Sequence, residues 1–258
     1  MKPLIIAHRG ASELAPENTL AAFQKACEDK AEGIEFDVQL TKDNQAVVFH
    51  DEDLLRIAGK EILIKDLTAE ELKLFDVGSW FNQKFPDQAS EDFANEKIST
   101  LAEVLEFLKD YQGVIYIELK CTEKQTEHLS KAVCGAIKDS HLLPNIIVKS
   151  FNLDTIPYIK KLCPNVKTAT LFAPKVLILL RKEKRLINIA KELKVDFLSL
   201  HFSLVTKKLM KKAEKENLKV AIWTADNPRW VKRGLKLGIE HIITNNPARL
   251  LKQRREIL

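Results

Sequence analysis

The sequence predicts an α/β chain folded as a TIM-type (β/α)8 barrel, and three observations predict it. Short apolar segments recur along the 258 residues, and each but the last is followed by enough chain for a helix. Eight such segments can be counted, the number that closes a barrel. In two of them polar or charged residues occupy alternate positions, Glu35 and Asp37 in one and Tyr116, Glu118 and Lys120 in the other, so one face of each strand carries charge toward the interior. Length alone leaves one barrel or two small domains open, and the run of segments favours one barrel domain over residues 1–258. An open doubly wound sheet is the competing arrangement, but no glycine-rich phosphate turn follows the first segment.

The elements follow in order. Residues 3–8 read as a buried first strand; the apolar run ends at His8-Arg9, too early for a signal peptide. A helix starts at Asn18 or Thr19 after Pro16, with Asn18 the expected cap, and residues 33–40 form the second strand. Residues 46–50 follow after only Lys42-Asp43-Asn44-Gln45, too few for a parallel crossover, and should fold back as an antiparallel hairpin arm. Thr68 with Glu71, and Ser99 before Leu101, mark two further helix starts. Between them residues 76–98, with Trp80, Phe81, Phe85, Pro86 and Phe93, show no clean period and read as a long aromatic-bearing loop, inserted before strand three. The remaining strands are expected at 114–120, 145–150, 166–172, 195–201, 219–224 and 240–244.

Composition narrows the class. With 45% hydrophobic and 30% charged residues and no internal repeat, disorder and solenoid architectures are excluded. The longest apolar run, residues 176–180, is far short of the roughly 20 residues of a membrane span. The net charge of +5 is spread over clusters in which bases and acids mix at helical spacing, so neither nucleic acid nor an anionic membrane is an expected partner. Four cysteines without metal-type spacing point to reduced thiols and a cytoplasmic protein.

The chemistry sits on the inward faces. Along Gly33-Ile34-Glu35-Phe36-Asp37-Val38-Gln39-Leu40, Glu35 and Asp37 share one face about 6.6 Å apart. Two buried carboxylates repel each other and lose hydration, and a hard divalent metal is the simplest remedy. The third strand adds Glu118 beside Tyr116 and Lys120 on its inward face. Three carboxylates suit Mg²⁺ or Ca²⁺ better than zinc, and an internal salt-bridge network with Lys120 neutralising Glu118 is the other reading. His8 ends the first strand with Arg9 and Gly10, where barrel enzymes place reactive groups, and His50, beside Asp51, returns on the hairpin arm level with Glu35 and Asp37. Two imidazoles, an arginine and a lysine around one carboxylate cluster point to a phosphoryl site.

These residues carry a resemblance. His8-Arg9-Gly10, Pro16-Glu17-Asn18-Thr19, Glu35-Phe36-Asp37, His50-Asp51, Glu118-Leu119-Lys120, Ser150-Phe151 and Trp223-Thr224 stand in the order and spacing of the glycerophosphodiester phosphodiesterase family, nearly end to end. The segment from Leu67-Thr68 through Phe75-Asp76-Val77-Gly78-Ser79-Trp80-Phe81 resembles that family's link into its third strand. The resemblance implies a barrel of the phosphodiesterase type that releases sn-glycerol 3-phosphate and an alcohol from small glycerophosphodiesters with one divalent cation. Carried over, Glu35, Asp37 and Glu118 are the metal ligands, His8 and His50 the acid–base pair, Arg9 and Lys120 the phosphate contacts, and Trp223 a wall near the glycerol. The chain departs from the family near its end. Gly238-Ile239-Glu240-His241 and Thr244-Asn245-Asn246-Pro247 replace the usual Gly-x-Asp-Gly and Thr-Asp, which alters the rim after strand eight, and His241 is expected to be a non-catalytic loop residue. An apolar mouth built from residues 172–180 and the 76–98 loop would favour a lysophospholipase D or related lipid enzyme. A non-catalytic barrel that binds a phosphodiester or a partner protein is the reading from a different class.

Overall fold

The computed structural model describes residues 2–174 and 183–258, so the apolar run 176–180 lies outside the described residues. All eight expected strands are present: β1 (Leu4–His8), β2 (Gly33–Leu40), β6 (Val114–Leu119), β7 (Ile146–Ser150), β8 (Lys167–Phe172), β9 (Phe197–His201), β10 (Lys219–Trp223) and β11 (His241–Thr244). They pair in parallel in the order β1-β11-β10-β9-β8-β7-β6-β2, and the pairing of β1 with β2 closes the barrel. The hairpin arm is β3 (Ala46–Val48), antiparallel to β2 with Val38 opposite Val48. A second small hairpin, β4 (Asp53–Leu54) with β5 (Lys60–Leu63), was not legible in the sequence. The last strand also gains a helix, Pro247–Ile257, started by the Asn246 cap and Pro247 and tied back to β1 through Arg254, which bonds Glu32 and the Pro3 carbonyl.

Two helix starts shift by one residue. Thr19, not Asn18, caps Leu20–Glu28, and Thr100, not Ser99, caps Leu101–Phe107 in a capping box with Glu103. The segment 76–98 is not an irregular loop. It folds into the helix Ser79–Lys84 and the short turns Pro86–Gln88 and Glu91–Phe93, gathered around Phe81, whose ring meets Trp80, Phe85 and Phe93 at 5.9, 4.9 and 5.6 Å. Tertiary ring packing, not local periodicity, stabilises it.

Inside the barrel an apolar layer of Ile6, Tyr116, Ile147, Ala169, Phe197, Ala221 and Ile243 forms a floor beneath the carboxylates. His241 belongs beneath it and is no loop residue: it opens β11, is 4% exposed, stacks on Phe197 at 5.0 Å and hydrogen-bonds the Tyr116 hydroxyl at 2.7 Å. Burial, with the positive fields of Lys219 and Lys167, pushes its pKa down to about 3. The unfolded ring takes a proton below its ordinary value of 6.5 while the folded ring stays neutral, so stability falls as pH drops from 6.5 toward 3. By pH 4.5 this loss amounts to about 2–3 kcal/mol. Urea unfolding at pH 7.5 and 4.5 should show that drop in the parent and lack it in His241→Gln; equal drops in both would refute the assignment.

Candidate active site

The C-terminal ends of four neighbouring strands bring the predicted residues together. Register places His8 beside Glu35, Asp37 beside Glu118, and Glu118 beside Lys149. Glu35, Asp37 and Glu118 are all buried, and each offers an oxygen within 4.8 Å of the others. Three buried carboxylates demand cations. Lys149 Nζ lies 2.8 Å from Glu35 Oε1 and 3.2 Å from Glu118 Oε2, and Lys120 Nζ lies 2.7 Å from Glu118 Oε1 and 3.4 Å from Asp37 Oδ1. Arg9 Nε sits 3.2 Å from Asp37 Oδ2, and its backbone N–H donates to Glu35 Oε2. Burial pushes the Glu35 and Asp37 carboxyls up, but Lys149 and His8 beside the first, and Arg9 and Lys120 beside the second, hold both below the ordinary carboxylate range. Lys149 is the reciprocal case: burial lowers its pKa, Glu35 and Glu118 more than restore it, and the ammonium stays charged.

Local backbone geometry makes this approach possible. Arg9 and Gly10 both have positive φ, 55° and 79°, and a Cβ on Gly10 would stand 2.6 Å from the backbone of Ala22. The turn thus presses the helix Leu20–Glu28 against the end of β1. Asn18, also at positive φ, is turned inward: its Nδ2 donates to Asp37 Oδ2 at 3.0 Å and its Oδ1 accepts the Asp37 N–H at 3.2 Å. It supports a carboxylate and leaves the helix cap to Thr19.

The two histidines are anchored differently. His8 Nδ1 meets Asn245 Oδ1 at 2.7 Å, and its Nε2 lies 3.9 Å from Glu35 Oε2. His50 is drawn beside Asp37 because the Phe49 N–H donates to the Asp37 carbonyl and Gln39 Nε2 donates to the Phe49 carbonyl. His50 Nδ1 bonds Asp51 Oδ1 at 2.6 Å. Asp51 is held by Arg56, which also grips Glu17 and lies over the Trp80 ring, so the 76–98 segment braces the His50 side of the site. Glu17 in turn bonds Arg9 at 2.7 Å. Burial works against the Asp51 charge, but the hydrogen bonds from His50 and Arg56 outweigh it and hold the carboxyl well below its usual value.

Trp223 ends β10 at the mouth, edge-on to Phe151 at 5.5 Å and to His201 at 5.3 Å, with Lys120 over the Phe151 ring. Beside this wall a cleft of about 610 Å³ is lined by His50, Asp51, Lys120 and Phe151 among others. The residues expected to bind metal, carry protons, hold phosphate or wall the glycerol therefore lie at one end of the barrel, whereas His241 lies beneath the floor.

The sequence reading missed Lys149. Its signal was a lysine inside the apolar run Ile146-Ile147-Val148-Lys149-Ser150, at the same parity as the inward Ile147. It also assigned Asn245 only to the rim, whereas the side chain reaches His8.

The all-oxygen, three-carboxylate donor set fits a hard divalent cation. The chain matches the model of the glycerophosphoryl diester phosphodiesterase family over residues 8–249. It is 35% identical over 254 residues to the glycerophosphodiester phosphodiesterase of Caldanaerobacter subterraneus subsp. tengcongensis, covering 97% of each chain. Among solved structures it resembles an Oleispira antarctica phosphodiesterase in complex with the product sn-glycerol-3-phosphate, at 27% identity and a TM-score of 0.84, covering 98% of this chain and 96% of that one. The Thermotoga maritima glycerophosphodiester phosphodiesterase superposes with a TM-score of 0.76 at 28% identity, covering 98% of this chain and 99% of the other. With the fold, the cluster and this coverage in agreement, the chain belongs to the glycerophosphoryl diester phosphodiesterase family.

Proposed function

We propose that the protein hydrolyses small glycerophosphodiesters to sn-glycerol 3-phosphate and an alcohol. The observation that carries this reading is the meeting of three buried carboxylates, two imidazoles, Arg9 and Lys120 at the mouth end of one barrel. The product named in the Oleispira antarctica complex supports it. Glu35, Asp37 and Glu118 would hold one Mg²⁺ or Ca²⁺, which when bound supplies Lewis-acid stabilisation of phosphoryl oxygens. Arg9 and Lys120 orient the phosphodiester and offset its charge. One histidine removes a proton from the attacking oxygen while the other protonates the departing alkoxide as the phosphorus–oxygen bond to the alcohol breaks. Attack by water and attack by the glycerol 2-hydroxyl use the same two transfers; the second gives a cyclic phosphate, which water then opens as the bond from phosphorus to the 2-oxygen breaks and the two histidines exchange roles. Trp223 and Phe151 wall the glycerol end, and the cleft beside His50 receives the alcohol. Four unlinked cysteines support a cytoplasmic location.

The test is release of sn-glycerol 3-phosphate from glycerophosphocholine and glycerophosphoethanolamine with Mg²⁺, Ca²⁺ or EDTA. Turnover is expected with one or both ions, falling to background in EDTA and in His8→Ala. Cleavage of lysophosphatidylcholine alone would transfer the assignment to a lipid enzyme, and metal binding without turnover would make the barrel a binder.

A further inference from the structure

We infer that Asp226 and Asn245 form a relay that fixes which nitrogen of His8 exchanges the proton, an inference resting on the role of His8 proposed above. Asp226 is a carboxylate and can only accept. Its Oδ1 takes the Asn245 backbone N–H at 2.7 Å and the Thr244 hydroxyl at 2.8 Å, and its Oδ2 takes Asn245 Nδ2 at 2.9 Å. The Asn245 amide therefore has one permitted orientation, with its oxygen toward His8. That oxygen accepts from the Ser12 hydroxyl at 3.0 Å and lies 2.7 Å from His8 Nδ1. An amide oxygen donates nothing, so Nδ1 carries a hydrogen whenever this contact is made. The neutral ring is held as the Nδ1–H tautomer with the Nε2 lone pair directed at the side of Glu35, 3.9 Å away. Asn245 and Asp226 are thus positioning residues: neither needs to touch substrate, and together they transmit an instruction from the β10 end across β11 to the end of β1.

The relay predicts the effect of a substitution that removes no heavy atom. In Asp226→Asn the Thr244 hydroxyl and the Asn245 N–H still require an acceptor, so the new amide must keep its oxygen there and turn its NH₂ toward Asn245. Asn245 must then rotate, present its own NH₂ to His8 Nδ1, and impose the opposite tautomer. Combining Asp226→Asn with Asn245→Asp reverses this: the carboxylate accepts from the new amide on one side and from His8 Nδ1 on the other.

The experiment uses the Mg²⁺-loaded enzyme labelled with ¹⁵N-histidine and reads the His8 ring nitrogens together with kcat and KM for glycerophosphocholine. At a pH where the ring is neutral, the parent should show a protonated Nδ1 and a pyridine-type Nε2. Asp226→Asn should exchange these signals and lower kcat at least about tenfold with KM within about threefold, and the double variant should restore both readings. Asn245→Ala, which deletes the acceptor, should lower kcat in the same manner and serves if Asp226→Asn fails to fold. An unchanged tautomer in Asp226→Asn, an exchanged tautomer with undiminished kcat, or a double variant as impaired as the single would overturn the relay. Undiminished activity in His8→Ala would instead overturn the proposed role of His8, and the ¹⁵N signals would still judge the hydrogen-bond chain.

Discussion

Replacing His50 by alanine is expected to lower kcat for glycerophosphocholine by about 10²–10⁴-fold, the usual scale of one positioned proton carrier, with Mg²⁺ affinity kept within about threefold. The two readouts separate because His50, although beside Asp37, is not one of the residues whose ligand atoms gather in the carboxylate cluster: the ring is anchored at Nδ1 by Asp51, leaving Nε2 for exchange. Asp51 stays ionised, since Arg56 holds it from the far side and is itself fixed by Glu17 and Trp80. A carboxylate so placed steadies the positive ring formed when Nε2 takes a proton, as the aspartate of a hydrolase triad does for its histidine. Isothermal titration with Mg²⁺ alongside steady-state kinetics checks this. A parallel loss of metal affinity and turnover would make His50 a ligand, and undiminished kcat would remove it from the reaction.

What the sequence disclosed and what it hid follow from the range of the interactions involved. Strand parity is local, so the alternation around Glu35 and Asp37 and around Glu118 placed three carboxylates on inward faces before any pairing was known. The eight strands were legible for the same reason. Lys149 was not, because its meaning depends on register: only when β7 lies beside β6 does Lys149 stand level with Glu118 and reach Glu35 one strand further on. Asn18 was misread because a short polar residue beside a turn caps a helix by default, and Asn245 was read only as a change at the rim; tertiary packing turned one toward Asp37 and the other toward His8. His241 was read as a loop residue although it falls inside the strand expected at 240–244; β11 begins at that residue and carries it under the barrel floor. The aromatic segment before β6 escaped because its short helices are held by rings packed on Phe81, a contact pattern without a sequence period.

Lys149→Met should destabilise the metal-free protein by about 3–5 kcal/mol, the scale measured when one partner of a buried ion pair is removed. For a chain of this length that is a fall in melting temperature on the order of 10 °C. The methionine fills nearly the same volume, so the loss is electrostatic: Arg9, Lys120 and Lys149 oppose Glu35, Asp37 and Glu118, and without the ammonium Glu35 keeps, among the described residues, the Arg9 N–H and His8 near its oxygens. Glu118 retains Lys120, so the penalty concentrates on Glu35, which is 0% exposed. Mg²⁺ should therefore raise the melting temperature of the variant more than that of the parent, since a divalent cation among the same oxygens supplies the charge the substitution removed and stabilises whichever state binds it. Calorimetry of both proteins with EDTA and with Mg²⁺ decides the matter. If the variant melts with the parent in EDTA, the desolvation of the lysine cancels its attraction to the two carboxylates, and Lys149 is present for charge balance during turnover and not for holding the barrel together. If the variant is destabilised but Mg²⁺ stabilises both proteins equally, the cation and the ammonium act on different oxygens, and the carboxylate cluster is not one electrostatic unit.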